Sequence, residues 1–209
     1  VAATLHLVRH GRTVYNTDNL VQGWSDSPLT DEGVIGVRRT AQALAEVPFV
    51  AAYASPFGRT MATAREILVH HPDVPLTQDD GLREFHFGEW ETLPEAELWA
   101  EYDPIAMFAG VFDGSFPGLP GGESSAAYRR RVADSFARIE RAHTGDVLVV
   151  SHGVTLFAYL GALGEVSLAP LPNASVSTVR VNDDGSREVM DVGRDLGGHG
   201  LTPELAPNS

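Results

Sequence analysis

A histidine and an arginine stand side by side close to the start of the chain, in Leu7-Val8-Arg9-His10-Gly11-Arg12-Thr13. The preceding Thr4-Leu5-His6-Leu7-Val8 is short, apolar and β-rich, so it reads as a strand that ends at this pair. Gly11 permits a sharp turn directly after them. A guanidinium can grip phosphoryl oxygens in a planar fork, and an imidazole can serve as nucleophile, general base or metal ligand. The pair therefore suits a phosphate site.

Three further segments supply complementary chemistry. In Ser55-Pro56-Phe57-Gly58-Arg59-Thr60, Arg59 falls in the first turn of a helix, where the dipole repels a cation. A bound anion would offset that cost, drawing on the free amides and the guanidinium together; the plain alternative is a solvated side chain. In Leu82-Arg83-Glu84-Phe85-His86-Phe87 an acid sits among aromatics. Desolvation there would raise its pKa and make it a usable general acid, unless Glu84 simply pairs with Arg83. His86 reads as a packing or surface residue. Val149-Val150-Ser151-His152-Gly153 repeats the opening pattern of an apolar strand followed by His-Gly. Two histidines at neighbouring strand ends can hold a metal, or one can attack phosphorus while the other stabilises the developing charge. A zinc site needs a third ligand, and His70-His71 lies at the far end of a helix, so the metal reading is the weaker one.

The elements that must position these groups alternate. Thr30 is placed to cap a helix reaching about Glu46, with Asp31 and Glu32 in its first turn. Val50 to Ala54 reads as a strand, and Ser55-Pro56 opens a helix that ends before Pro72. Tyr128, Val132, Phe136 and Ile139 mark an amphipathic helix from Glu123 to about His143. This stripe leaves Arg129-Arg130-Arg131 on the wet face. Asp146 to Val150 is a buried strand followed by another helix. Strands near Val176–Val181 and Glu188–Val192 precede a Gly/Pro-containing tail. The order predicts an α/β three-layer sandwich with a largely parallel central sheet, whose ligands gather at the carboxyl ends of the strands. His10, Ser55 and His152 all fall there.

The 209 residues suit one domain, residues 1–209, and no apolar run reaches the roughly 18 residues a membrane span needs. The first residues show no signal-peptide pattern, although the chain opens at Val1 and an upstream segment could have been removed. The absence of cysteine excludes disulfides and thiol chemistry and fits a cytoplasmic protein. A net charge of −13 argues against a nucleic-acid partner. All fifteen basic residues are Arg, so an anion site must be assembled from locally gathered guanidinium groups.

Together, the four segments resemble the histidine phosphatase superfamily, whose fold is called phosphoglycerate-mutase-like, in order and across about residues 4 to 193. The resemblance implies that His10 is the nucleophile and forms a phosphohistidine. It implies that Arg9, Arg59 and His152 hold the phosphoryl oxygens, and that Glu84 protonates the leaving oxygen and then activates water. Asn16 matches the polar residue that follows the first motif, and Gln22-Gly23 matches the loop that lines the phosphate pocket. No metal or other cofactor is expected, since the Arg and His groups supply the positive field. The substrate would be a small phosphorylated metabolite.

The family divides between hydrolases and mutases. Residues 92–122, where relatives carry a cap over the site, hold no Arg, five acids (Glu95, Glu97, Glu101, Asp103 and Asp113) and many apolar groups. A glycolytic mutase must also hold a carboxylate and a second phosphate. The expected activity is therefore hydrolysis of phosphomonoesters, with a phosphoglycerate mutase and a non-catalytic phosphate-binding protein as alternatives. Arg12 stands where relatives often have Glu, and Thr92 where many have Gly. Oligomeric state cannot be read from this pattern, because an apolar helix face serves a core or an interface equally.

Overall fold

Alternation along the central strands sets the architecture. The structure, a computed structural model, describes residues 3–164 and 170–198; Val1 and the end of the Gly/Pro-containing tail lie outside them. In β1 (Ala3–Arg9), Leu5 and Leu7 enter one core and Val8 the other. In β4 (Gly145–Ser151), Val147 and Val149 face the first core, and Leu148 and Val150 the second. Strand side chains alternate between faces, so two apolar faces require a covering layer on each side.

One layer is α2 (Asp31–Ala43) and α3 (Gly58–Leu68), which add Val37, Ala41, Met61, Ala64 and Ile67. The other is α6 (Ser125–Ala142) and α7 (Gly153–Ala162), which add Tyr128, Val132, Phe136, Ile139, Leu156 and Leu160. Thr30 caps α2 as expected, accepting from Gly33 N at 3.0 Å, though the helix ends at Ala43 rather than Glu46.

With β2 (Phe49–Ala54), β3 (Leu76–Gln78), β5 (Val176–Val181) and β6 (Arg187–Arg194), the sheet has the order β3-β2-β4-β1-β5-β6. The three pairings among β3, β2, β4 and β1 are parallel, while β5 runs antiparallel to β1 and β6 to β5. Register then aligns the chemistry. Arg9 lies opposite Ser151 and Ala54 opposite Val150, so His10, Ser55 and His152 leave the sheet side by side.

Three further helices escape the sequence pattern or sit within the expected cap. α1 (Val14–Asp18) is a single turn held by a reciprocal cap between Thr13 and Asn16. α4 (Glu95–Glu101) and α5 (Pro104–Asp113) form most of residues 92–122, with Leu98, Met107 and Val111 buried.

Thr92, an exposed residue, has φ of 70°. A β-branched side chain in the left-handed region carries about 1–2 kcal/mol of strain. Glycine relieves it, at an entropic cost of about 0.5–1 kcal/mol. Thr92→Gly is therefore expected to raise the melting temperature by about 1–4 °C; thermal denaturation showing a lowered midpoint would refute the strain.

Candidate active site

His10 and His152 meet at the C-terminal ends of β1 and β4 with ring centroids 5.4 Å apart, both buried. His10 Nδ1 donates to the Gly11 carbonyl at 2.8 Å. A carbonyl only accepts, so this bond places the proton on Nδ1 and leaves the Nε2 lone pair available as a nucleophile. The turn itself is fixed by His10 N bonding Ser151 O at 3.0 Å, and by Asn173 Nδ2 donating to His10 O at 3.1 Å.

Arg59 is 1% exposed. Nη1 donates to Ser25 O at 2.8 Å and Asp26 Oδ1 at 2.9 Å; Nη2 donates to Gly23 O at 2.7 Å and His152 Nδ1 at 3.0 Å. Only Nε is buried without a partner. Because the guanidinium must donate, His152 Nδ1 accepts, and its Nε2–H donates to Ser55 Oγ at 2.7 Å. Arg9 Nη1 donates to Leu171 O at 2.5 Å, and its Nε and Cζ lie against Gly153, at the head of α7.

Burial, then the charges of Arg59 and Arg9, hold the His10 pKa well below its usual value. Burial followed by Arg59 and His10 does the same to His152. Both imidazoles are therefore neutral near pH 7, as an attacking nitrogen requires.

Glu84, also buried, lies against the opening turn of α7. Its carboxyl accepts from Val154 N, Thr155 N and Phe85 N, each at 3.0 Å. Burial nevertheless pushes its pKa up, against the lowering effect of those bonds and of Arg59. It does not pair with Arg83, which bonds Asp80 instead at 2.7 Å.

The three remaining expected residues stand next to this centre. Asn16 Oδ1 accepts from Thr13 N at 3.2 Å and Asn173 Nδ2 at 3.3 Å, joining the turn after His10 through Asn173. Gln22 is spent on Thr13 Oγ1 at 2.9 Å and Ser27 Oγ at 3.0 Å. Gly23 gives its carbonyl to Arg59 and leaves no room for a Cβ against Phe85 O and Phe87.

Several supports of the site carry no local signal in the sequence. Arg131 is not on the wet face. It is 20% exposed and donates to Arg83 O and Glu84 O, both at 2.7 Å, and to Glu123 Oε2 at 2.9 Å. Glu91 accepts from Trp24 N at 2.8 Å, from Phe87 N at 3.1 Å and from Ser25 N. Trp24 Nε1 donates to Glu84 O at 3.0 Å, and its ring stacks on His86 at 4.5 Å. Arg12 Nε donates to Thr17 Oγ1 at 3.1 Å. Among the described residues, no group of three or more His, Asp or Glu is gathered as a metal ion would require, and no helix is long and apolar enough to cross a membrane. His71 lies elsewhere, bonded to Leu44 O and edge-on to Phe49.

The α/β fold, with a mostly parallel sheet of this order, brings two histidines and two arginines together at the carboxyl ends of its strands. The chain belongs to the histidine phosphatase superfamily (branch 1), whose profile it matches over residues 5–191. It is 35% identical over 172 residues to the 2,3-bisphosphoglycerate-dependent phosphoglycerate mutase 2 of Gloeobacter violaceus, covering 79% of this chain and 77% of that one. YhfR of Bacillus stearothermophilus superposes with a TM-score of 0.80 at 32% identity, covering 93% of this chain and all of that one. The α-ribazole phosphatase of Shigella flexneri gives 0.77 at 25% identity, covering 92% and 96%.

Neutral buried histidines make stability pH-dependent. As pH falls through about 6.5, the unfolded chain gains protons that the folded His10 and His152 refuse, so stability falls on the acid side by about 1.4 kcal/mol per pH unit for each. Glu84 acts in the opposite sense, since its raised pKa adds stability at low pH that is lost as pH rises through the folded value. Urea unfolding from pH 7 to 5 should show the acid-side slope reduced by one proton in His10→Asn. An unchanged slope would mean that His10 is not neutral in the fold.

Proposed function

We propose that this protein is a metal-independent phosphomonoester hydrolase working through a phosphohistidine on His10, in the cytoplasm. The observation that carries the reading is the Nδ1 bond of His10 to Gly11 O, which exposes a neutral Nε2 beside the buried guanidinium of Arg59. In this reading Nε2 attacks phosphorus and the ester P–O bond breaks. Glu84 gives its proton to the leaving oxygen. Arg9, Arg59 and His152 neutralise the equatorial oxygens, which is where phosphoryl transfer needs most help. Water then attacks phosphorus as Glu84 takes its proton, the P–Nε2 bond breaks with its electron pair returning to His10, and phosphate leaves. Asn16, from α1, and Gln22 and Gly23, from the loop that follows, serve this site, tied to it by Asn173 and Arg59.

Hydrolysis is favoured over mutase chemistry by residues 92–122. They bring no cation for a second anionic group and instead contribute rings, Phe112 stacking on Phe157 at 5.3 Å and on Phe108 at 6.2 Å. The alcohol part of the substrate is therefore apolar or bulky. The names of relatives such as the Gloeobacter violaceus protein support a second reading, in which a bisphosphorylated primer charges His10 and phosphoglycerate is isomerised.

An assay with an aryl phosphate and a panel of metabolite phosphomonoesters, in excess chelator, separates these. Turnover is expected in chelator and should fall by at least about 10³-fold in His10→Ala, the scale on which lost catalytic groups act. Absence of hydrolysis with primer-dependent conversion of phosphoglycerate would establish the mutase instead. Activity that chelator abolishes would overturn the metal-independent mechanism.

A further inference from the structure

The two oxygens of Glu84 are held unequally. Oε1 accepts from Phe85 N, Thr155 N and Thr155 Oγ1, each at 3.0 Å, whereas among the described residues Oε2 accepts only from Val154 N, at 3.0 Å. An oxygen with three donors has little lone-pair density left for a proton, so the exchangeable proton belongs on Oε2.

The third donor on Oε1 has a choice. Thr155 carries one hydroxyl proton and faces two acceptors, Glu84 Oε1 at 3.0 Å and Arg83 O at 2.8 Å. Tyr128 Oη donates to the same hydroxyl oxygen at 3.2 Å, and both residues have no solvent exposure. Arg83 O does not depend on Thr155, because Arg131 Nη1 donates to it at 2.7 Å. The hydroxyl can therefore turn either way without orphaning a buried group.

We propose that Thr155 is a positioning residue for Glu84: its hydroxyl turns to Oε1 when Glu84 is ionised and to Arg83 O when Glu84 holds its proton, with Tyr128 pinning the oxygen about which it turns. The inference rests on the reading of Glu84 as the acid and base of the reaction. No bond to Thr155 forms or breaks. When Oε2 gives its proton to the leaving oxygen, the hydroxyl swings to Oε1 and stabilises the new carboxylate. When water gives a proton back to Oε2, the hydroxyl returns to Arg83 O.

Other charged and titratable groups surround Glu84 and its partners. Arg59 acts from α3, Tyr128 and Arg131 from α6, Glu123 from just before that helix, and His152 from the head of α7 beside His10. Replacing Thr155 leaves all of these in place, so its effect on the pH profile is separable from theirs.

The test is the pH dependence of kcat/KM and kcat on an aryl phosphate for the intact protein, Thr155→Val, Thr155→Ser, Tyr128→Phe and Glu84→Gln. Glu84 must hold its proton on the alkaline limb of kcat/KM, and must have lost it on the acid limb of a kcat limited by dephosphorylation. Valine removes a donor to the carboxylate and should move both limbs up by about one pH unit, the size of one charge-assisted hydrogen bond. Serine should restore the profile, and Tyr128→Phe should shift it in the same direction by less. A purely structural role would lower the melting temperature and leave the limbs where they are. Limbs that superimpose on those of the intact protein in folded Thr155→Val, or in Tyr128→Phe if the valine variant does not fold, would overturn the proposal. Glu84→Gln distinguishes the two levels. Full activity there removes Glu84 from the reaction altogether, whereas an inactive Gln variant with unmoved Thr155→Val limbs removes only the role of Thr155.

Discussion

A guanidinium with no exposed side-chain surface is the constraint on which the rest of the site depends. Leaving one partner of a buried charge unmatched costs several kcal/mol, and Arg59 meets that demand with Ser25 O, Gly23 O, Asp26 and His152 Nδ1. Two carbonyls of one short loop must therefore point at the same cation. That loop is held from behind by Glu91, which takes the amides of Trp24 and Ser25. Asp26 closes the circle by accepting Gly58 N at 2.6 Å, at the first residue of α3, which also carries Arg59.

The same cation sets the chemistry of its neighbours. It selects the tautomer of His152 by donating to Nδ1, and with burial and Arg9 it keeps His10 uncharged. A protein with a net charge of −13 thus presents a local positive field, since Arg9 and Arg59 converge where the strands end. Glu84 is the counterpart. The amides at the start of α7 would favour its ionised form, yet burial prevails and its proton is held more tightly than in water.

Much of this was legible in the sequence because the signals are local. β1 and β4 declare themselves by apolar runs, and His10, Ser55 and His152 stand where those runs end. Arg59 follows a Ser-Pro helix opening, and Glu84 opens an aromatic-rich stretch. Arg131 departs from its sequence pattern for a physical reason. Periodicity places it beside two solvated arginines, but its partners, Arg83 O and Glu84 O, are nearly fifty residues away and impose no local pattern. Asn173, Glu91 and Trp24 act across similar or larger separations, and the single turn of α1 is too short to show a period. Thr92 could be marked as unusual from the resemblance alone, whereas its positive φ is visible only in the backbone.

A covalent bond between His10 Nε2 and phosphorus is visible to nitrogen-resolved NMR of the enzyme after a single turnover quenched in alkali. Phosphohistidine chemistry at this site predicts one base-stable, acid-labile phosphoryl group on Nε2 of His10, absent from His10→Ala. Turnover of a chiral phosphate ester with inversion at phosphorus and no enzyme adduct would contradict it, because a single displacement by water inverts where two displacements retain.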